Sequence, residues 1–172
     1  FYCMPETDVV FQKREELLTF EEITRVTEIA CRMGVNKVRL TGGEPLVRQA
    51  LPQLIEKLAT IDSLQEIALT TNGILLAEHA ENLKKSGLDR INISLDTLSE
   101  TRFRQITRRD EFQRVMAGID AAIAASMAQD CFLCGQRMKD SISPTRKIHP
   151  LLLPSSSQVS SATAIILSGS PG

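Results

Sequence analysis

The stretch Val38-Arg39-Leu40-Thr41-Gly42-Gly43-Glu44-Pro45-Leu46-Val47-Arg48 decides the reading of this chain. Its first four residues alternate, so Val38 and Leu40 take one face of a strand and Arg39 and Thr41 the other. The strand then breaks into a Gly-Gly pair, which gives the backbone freedom in φ and lets a ligand come close to the peptide groups. An arginine inside a strand, on the face its apolar neighbours avoid, needs an anionic partner. An ion pair within the fold, with Glu44 or Asp96, is the structural way to supply one.

Working outward, the same grammar repeats. Upstream, Thr19 and Glu22 form a capping box that starts a helix, followed by Phe20, Ile23, Val26, Ile29 and Met33 as an apolar stripe and Gly34 as its stop. Downstream, the pattern predicts a helix over 51–59 with Leu51, Leu54, Ile55 and Leu58 on one side, a strand over 66–70 running into Thr71-Asn72-Gly73, and a helix over 77–86 ended by Gly87. A strand over 90–95, a short helix from Ser99 and a longer one over 110–125 follow, the last with Phe112, Val115, Met116, Ile119 and Ile123 at helical spacing. The order α, β, α, β, α, β, α with short connections predicts an α/β fold with a parallel sheet. Periodicity alone leaves two architectures, an open doubly wound sheet and part of a (β/α) barrel.

Strand parity points to a site. Ala68 and Thr70 share one face of their strand, and Asn92, Ser94 and Asp96 share one face of theirs, while the alternate positions are apolar. A sheet buried on both sides would be apolar on both. The expectation is therefore that helices cover one face. The other, with Arg39, Thr70 and Ser94 gathered toward the carboxyl ends of the strands and Gly43 at the rim, should receive ligands, as it does in both parallel architectures.

Composition removes several classes of function. The 172 residues carry 20 Lys and Arg against 21 Asp and Glu, a net charge of −1, with the cations scattered among acids, so neither nucleic acid nor a membrane surface is implied as partner. No apolar run reaches the roughly 20 residues of a membrane-spanning helix. The four cysteines, Cys3, Cys31, Cys131 and Cys134, have no disulfide spacing. Cys31 is expected as a small buried apolar residue on a helix face. The pair Cys131-Phe132-Leu133-Cys134 has the C-x-x-C spacing, but no second pair follows and His149 stands alone, so no metal role is assigned. Residues 1–125 read as one domain. Residues 126–172, with Ser155-Ser156-Ser157 and Ser160-Ser161, lose periodicity and are expected to be a low-complexity, disordered tail. Within it, the apolar run 162–167 is the piece able to pair with an open sheet edge.

Taken together, Tyr2-Cys3-Met4-Pro5-Glu6, the long Arg-Leu-Thr-Gly-Gly-Glu-Pro string, Thr70-Thr71-Asn72-Gly73 and Ile91-Asn92-Ile93-Ser94-Leu95-Asp96 resemble the GTP 3',8-cyclase family of molybdenum-cofactor synthesis, within the radical S-adenosylmethionine (SAM) enzymes. The resemblance covers about residues 1–125. It implies a partial (β/α) barrel, a [4Fe–4S] cluster and SAM as cofactors, and conversion of GTP to 3',8-cyclo-7,8-dihydro-GTP. It makes Cys3 the third cysteine of the cluster motif. It gives Tyr2, Gly43 and Ser94 to SAM, with Gly43 offering a carbonyl to the ammonium, and it gives Arg39 and Thr70 to GTP. It implies a cyclic pyranopterin monophosphate synthase as the downstream partner and a homodimer as the intact assembly. The compartment would be the cytoplasm in a bacterium and the mitochondrion in a eukaryote.

Departures from that pattern set further expectations. The two other cluster cysteines would precede Phe1, and the strand bearing a GTP lysine and the later cysteine triad are absent from these residues. The chain is thus expected to be cut at both ends and, as it stands, without GTP cyclisation. Another radical SAM enzyme, such as a peptide or sulfatase maturase, and a non-catalytic truncated product are the alternative readings.

Overall fold

The computed structural model describes residues 17–127 in full and 163–169 as backbone. In chain order the elements are α1 (Phe20–Arg32), β1 (Val35–Gly42), a 3-10 turn (Pro45–Val47), α2 (Leu51–Ala59), β2 (Glu66–Thr71), α3 (Leu76–Lys85), β3 (Arg90–Ile93), α4 (Glu100–Thr107), α5 (Phe112–Ala124) and β4 (Thr163–Gly169).

Local chemistry sets the boundaries. The capping box at α1 is formed: Glu22 N–H donates to Thr19 Oγ1 at 3.2 Å, and Thr19 N–H donates to the Glu22 carboxylate at 2.7 Å. Ser99 caps α4 in the simpler way, its hydroxyl accepting from Arg102 N–H. The αL position after α3 is a glycine, Gly87, and the corresponding position after α5 is Ser126, with φ of +55°.

The sheet order is β3-β2-β1-β4. Strands β1, β2 and β3 are parallel, each stepping one place in the same direction, with Arg39 opposite Ala68, Ala68 opposite Arg90, and Thr70 opposite Asn92. That steady progression is common to a barrel wall and to one half of a doubly wound sheet; described helices packed on one face only are the arrangement of a barrel wall. The sheet is not closed.

The helices cover one face. Val38, Leu40, Ile67, Leu69, Ile91 and Ile93 lie under α2, α3 and α5, together with Leu54, Ile55, Leu58, Leu83 and Val115, and none of these is more than 3 % exposed. At roughly 1.5–3 kcal/mol per buried aliphatic side chain, this face supplies most of the driving force for folding. Helix α5 sits so close to the β2 exit that a Cβ added at Gly118 would run into the Gly73 carbonyl oxygen.

Three expectations need correction. The buried stripe of α1 is Ile23, Thr27 and Cys31, whereas Val26, Ile29 and Met33 are exposed. Thr27 is tolerated inside because its hydroxyl donates to the Ile23 carbonyl at 2.9 Å. The domain also runs past residue 125: Met127 is fully buried, and its carbonyl accepts from Ile91 N–H at the outer side of β3. Finally, Thr163–Gly169 is a strand, not irregular tail. It pairs antiparallel with β1, Leu40 opposite Ile165 and Gly42 opposite Thr163. An unpaired strand edge offers a ready row of N–H and C=O groups, and this apolar segment takes it. Being antiparallel, β4 does not continue the parallel barrel wall. The rest of 128–162, including Cys131, Cys134 and His149, lies outside the described residues.

Candidate functional site

The open face of the sheet carries Arg39, Thr70 and Ser94. Alternation and register put all three on that side as a diagonal: Arg39 in the row of Ala68 and Arg90, Thr70 in the next row beside Asn92, and Ser94 one residue beyond the end of β3. Arg39 thus sits mid-strand and not at the carboxyl end as expected. Ser94 is exposed, while Arg39, Thr70 and Asn92 are half-buried. Gly43 follows the last residue of β1 and is exposed.

The rim is held by a clasp the sequence did not reveal. Glu44 Oε1 accepts from Leu46 N–H at 3.1 Å and from the Thr71 hydroxyl at 2.7 Å, and Glu44 Oε2 accepts from Asn72 N–H at 2.8 Å. Thr71 in turn accepts from Gly73 N–H at 3.1 Å. The loop leaving β1 is therefore fastened to the loop leaving β2, and Ser94 N–H joins it by donating to the Thr71 carbonyl at 2.9 Å. The carboxylate of Glu44 is committed to this network, so it is not the counter-ion of Arg39. At the far end of the string, Arg48 ties back to the start of α1 through the Leu18 carbonyl and stacks on Phe20 with 4.6 Å to the ring centroid.

Lower on the open face lies a cluster of charges that sequence reading missed. Glu66 accepts ion pairs from Arg90 at 2.6 Å and from Lys37 at 3.6 Å. Arg39 stands one row above Lys37 on the same side of β1. Burial, and then repulsion from Arg90, lower the Arg39 pKa, with Glu66 acting in the opposite sense. A guanidinium keeps its charge at neutral pH regardless, so Arg39 is a partly desolvated cation beside another cation. Alternation marks Lys37, Glu66 and Arg90 as sharing the parity of Arg39, Thr70 and Asn92 on their strands, and register brings them together.

Of the cofactor residues the sequence implied, Cys3 and Tyr2 lie outside the described residues. Among the described residues no group of three His, Cys, Asp or Glu could hold a metal, and Cys31 is buried within α1, so the cluster ligands are not found there. The SAM side does fit: the exposed Gly42-Gly43 turn puts no side chain between the backbone and a ligand, which is what an ammonium seeking carbonyl acceptors requires.

A parallel wall that begins βα by βα, with a glycine rim after its first strand, places the chain in a known class. The chain belongs to the radical SAM superfamily, which it matches over residues 1–135. It is similar to the GTP 3',8-cyclase of Rhodopirellula baltica, 53 % identical over 126 residues, and to that of Petrotoga mobilis, 46 % identical over 126 residues. It is also 52 % identical over 124 residues to GTP 3',8-cyclase 1 of Pseudomonas aeruginosa. These alignments cover 72–73 % of this chain but only 35–39 % of those proteins, so the chain spans little more than a third of the relatives it matches.

Proposed function

We propose that this chain is the SAM- and GTP-facing front of a GTP 3',8-cyclase acting in molybdenum-cofactor synthesis. Arg39 receives the triphosphate, Thr70 adds a hydroxyl to the nucleotide, and Ser94 with the Gly43 carbonyl holds SAM. The observation that carries this reading is the shared diagonal of Arg39, Thr70 and Ser94 on the face opposite the helices, with the Glu44-fastened rim above it. A guanidinium gives phosphate two parallel charge-assisted hydrogen bonds. The rim is tied in two places, so Gly43 presents its carbonyl from a fixed loop, and such pre-positioning is what protein can add to chemistry done by cofactors. When bound, a cluster ligated in part by Cys3 would supply the electron for SAM cleavage. The cyclic pyranopterin monophosphate synthase would act on the product, and a homodimer is the assembly proposed for the intact enzyme.

The 172 residues align with little more than a third of the relatives' length, so by themselves they are proposed not to cyclise GTP. A chimera tests the reading: residues 1–125 replace the matching segment of the Rhodopirellula baltica cyclase, and the product is assayed after anaerobic reconstitution. The chimera should turn over, and Arg39→Ala should lower kcat/KM by about 10- to 100-fold, the worth of one charge-assisted phosphate contact. A folded, cluster-loaded chimera that makes no product would refute the assignment, as would product formation by the 172 residues alone.

A further inference from the structure

The charge cluster on the open face has more to do than hold the sheet together. We propose that Glu66 is a positioning residue that restrains the cations of the phosphate-receiving face. In the ligand-free chain it occupies Lys37 and Arg90, and a polyphosphate arriving at Arg39 competes with it for them. The inference rests on the reading of Arg39 as a phosphate contact and concerns how that contact is tuned.

Three observations support it. First, Lys37, Arg39 and Arg90 share one side of the sheet, and among the described residues Glu66, whose side chain is 21 % exposed, is the carboxylate that pairs with two of them. Second, Glu66 is taken up by Arg90 and Lys37, one oxygen each, at 2.6 and 3.6 Å. Third, Arg90 is not fully satisfied by this arrangement. Its Nε is buried without a hydrogen-bond partner among the described residues, though its terminal nitrogen meets Glu66. Arg90 thus has, among the described residues, one carboxylate shared with Lys37 to offset its charge, next to a partly desolvated Arg39. Ala68 lies between Arg39 and Arg90 in register, so no long side chain separates the two cations.

The signs follow from Coulomb's law. Without ligand, Glu66 lowers the repulsion among three cations and stabilises the fold. With a polyanion bound, the same carboxylate is a like charge close to it and weakens binding. Stability and polyphosphate affinity therefore move in opposite directions when Glu66 is neutralised. A residue that merely kept the sheet intact would lose both together.

The experiment titrates the full 172-residue chain with inorganic tripolyphosphate by calorimetry, alongside thermal unfolding. Glu66→Gln should unfold at lower temperature yet bind about three- to tenfold more tightly at low salt, with the gain shrinking as ionic strength rises. Weaker or unchanged binding in Glu66→Gln, with Arg39→Ala still abolishing it, overturns the role of Glu66 and leaves the Arg39 reading standing. Binding that survives Arg39→Ala removes that reading, and this inference with it. Should Glu66→Gln not fold, the wild-type chain decides. Tripolyphosphate must then shift the Arg90 Nε–H resonance together with that of Arg39, and an Arg90 signal that stays in place overturns the proposal.

Discussion

The two faces of this sheet are built from alternate residues of the same three strands and have opposite physical characters. On the helix side, Val38, Leu40, Ile67, Leu69, Ile91 and Ile93 form an unbroken apolar surface, 0–3 % exposed. On the other, Lys37, Arg39, Glu66, Thr70, Arg90 and Asn92 form a charged and polar set around the small, buried Ala68. Stability is concentrated on the first, and the proposed ligand contacts lie on the second. Because the side-chain period is two, a single register slip would exchange them, so the apolar face fixes where the polar groups stand.

The contrast is broken most directly at Leu69. Its neighbour Thr70 looks out to the open face, while Leu69 is wholly buried between β1 and β3. Leu69→Ala should cost about 3–4 kcal/mol, the usual sum of lost transfer energy and cavity for a close-packed leucine. Chemical denaturation measures it, and a loss below about 1 kcal/mol would mean that the helix layer can collapse around the site and that the face is not rigid.

Thr71 is where the two faces meet. It has the parity of the apolar set and is 2 % exposed, yet its hydroxyl donates to Glu44 and accepts from Gly73 N–H. Thr71→Val keeps the volume and removes both bonds, leaving a buried N–H unpaired. The expected cost is about 1–2 kcal/mol, and hydrogen exchange should show faster opening at Gly73 and Asn72 while the α2 amides keep their protection. Uniform loosening of both would mean that the clasp has no local role at the rim.

How much of this was legible in the sequence depends on what each feature rests on. Helix α2 was read correctly to the residue, because Leu51, Leu54, Ile55 and Leu58 mix steps of three and four and so stay on one side. The stripe proposed for α1 used steps of three, and each such step falls about 60° short of a full turn, so Phe20 and Ile29 end on opposite sides of the helix. The buried set Ile23, Thr27 and Cys31 uses steps of four and includes a threonine that no hydropathy pattern would select. The shared face of Arg39, Thr70 and Ser94 was legible because alternation is local, whereas their diagonal follows from register. The Glu44 clasp and the Glu66 cluster were not, since each joins residues from different strands and depends on register, a property of the assembled sheet. The pairing of Thr163–Gly169 was visible only as a possibility, because an apolar run shows that a strand can form but not which edge receives it.

The smallest expected effect lies at Ser94, on the far end of the diagonal. Its side chain is exposed, and among the described residues its hydroxyl makes no hydrogen bond. The residue is held by its backbone, through the bond from Ser94 N–H to the Thr71 carbonyl at 2.9 Å, and alanine keeps that bond. Ser94→Ala should therefore change stability by less than about 0.5 kcal/mol, as for other exposed positions without a structural partner. The same change in the active chimera should raise KM for SAM by several-fold, the share of one neutral hydrogen bond. A denaturation midpoint unchanged beside a raised KM places the work of Ser94 on the ligand. A stability loss above about 1 kcal/mol would mean that its hydroxyl is bonded within the fold, and the division of labour between the two faces would not extend to the end of β3.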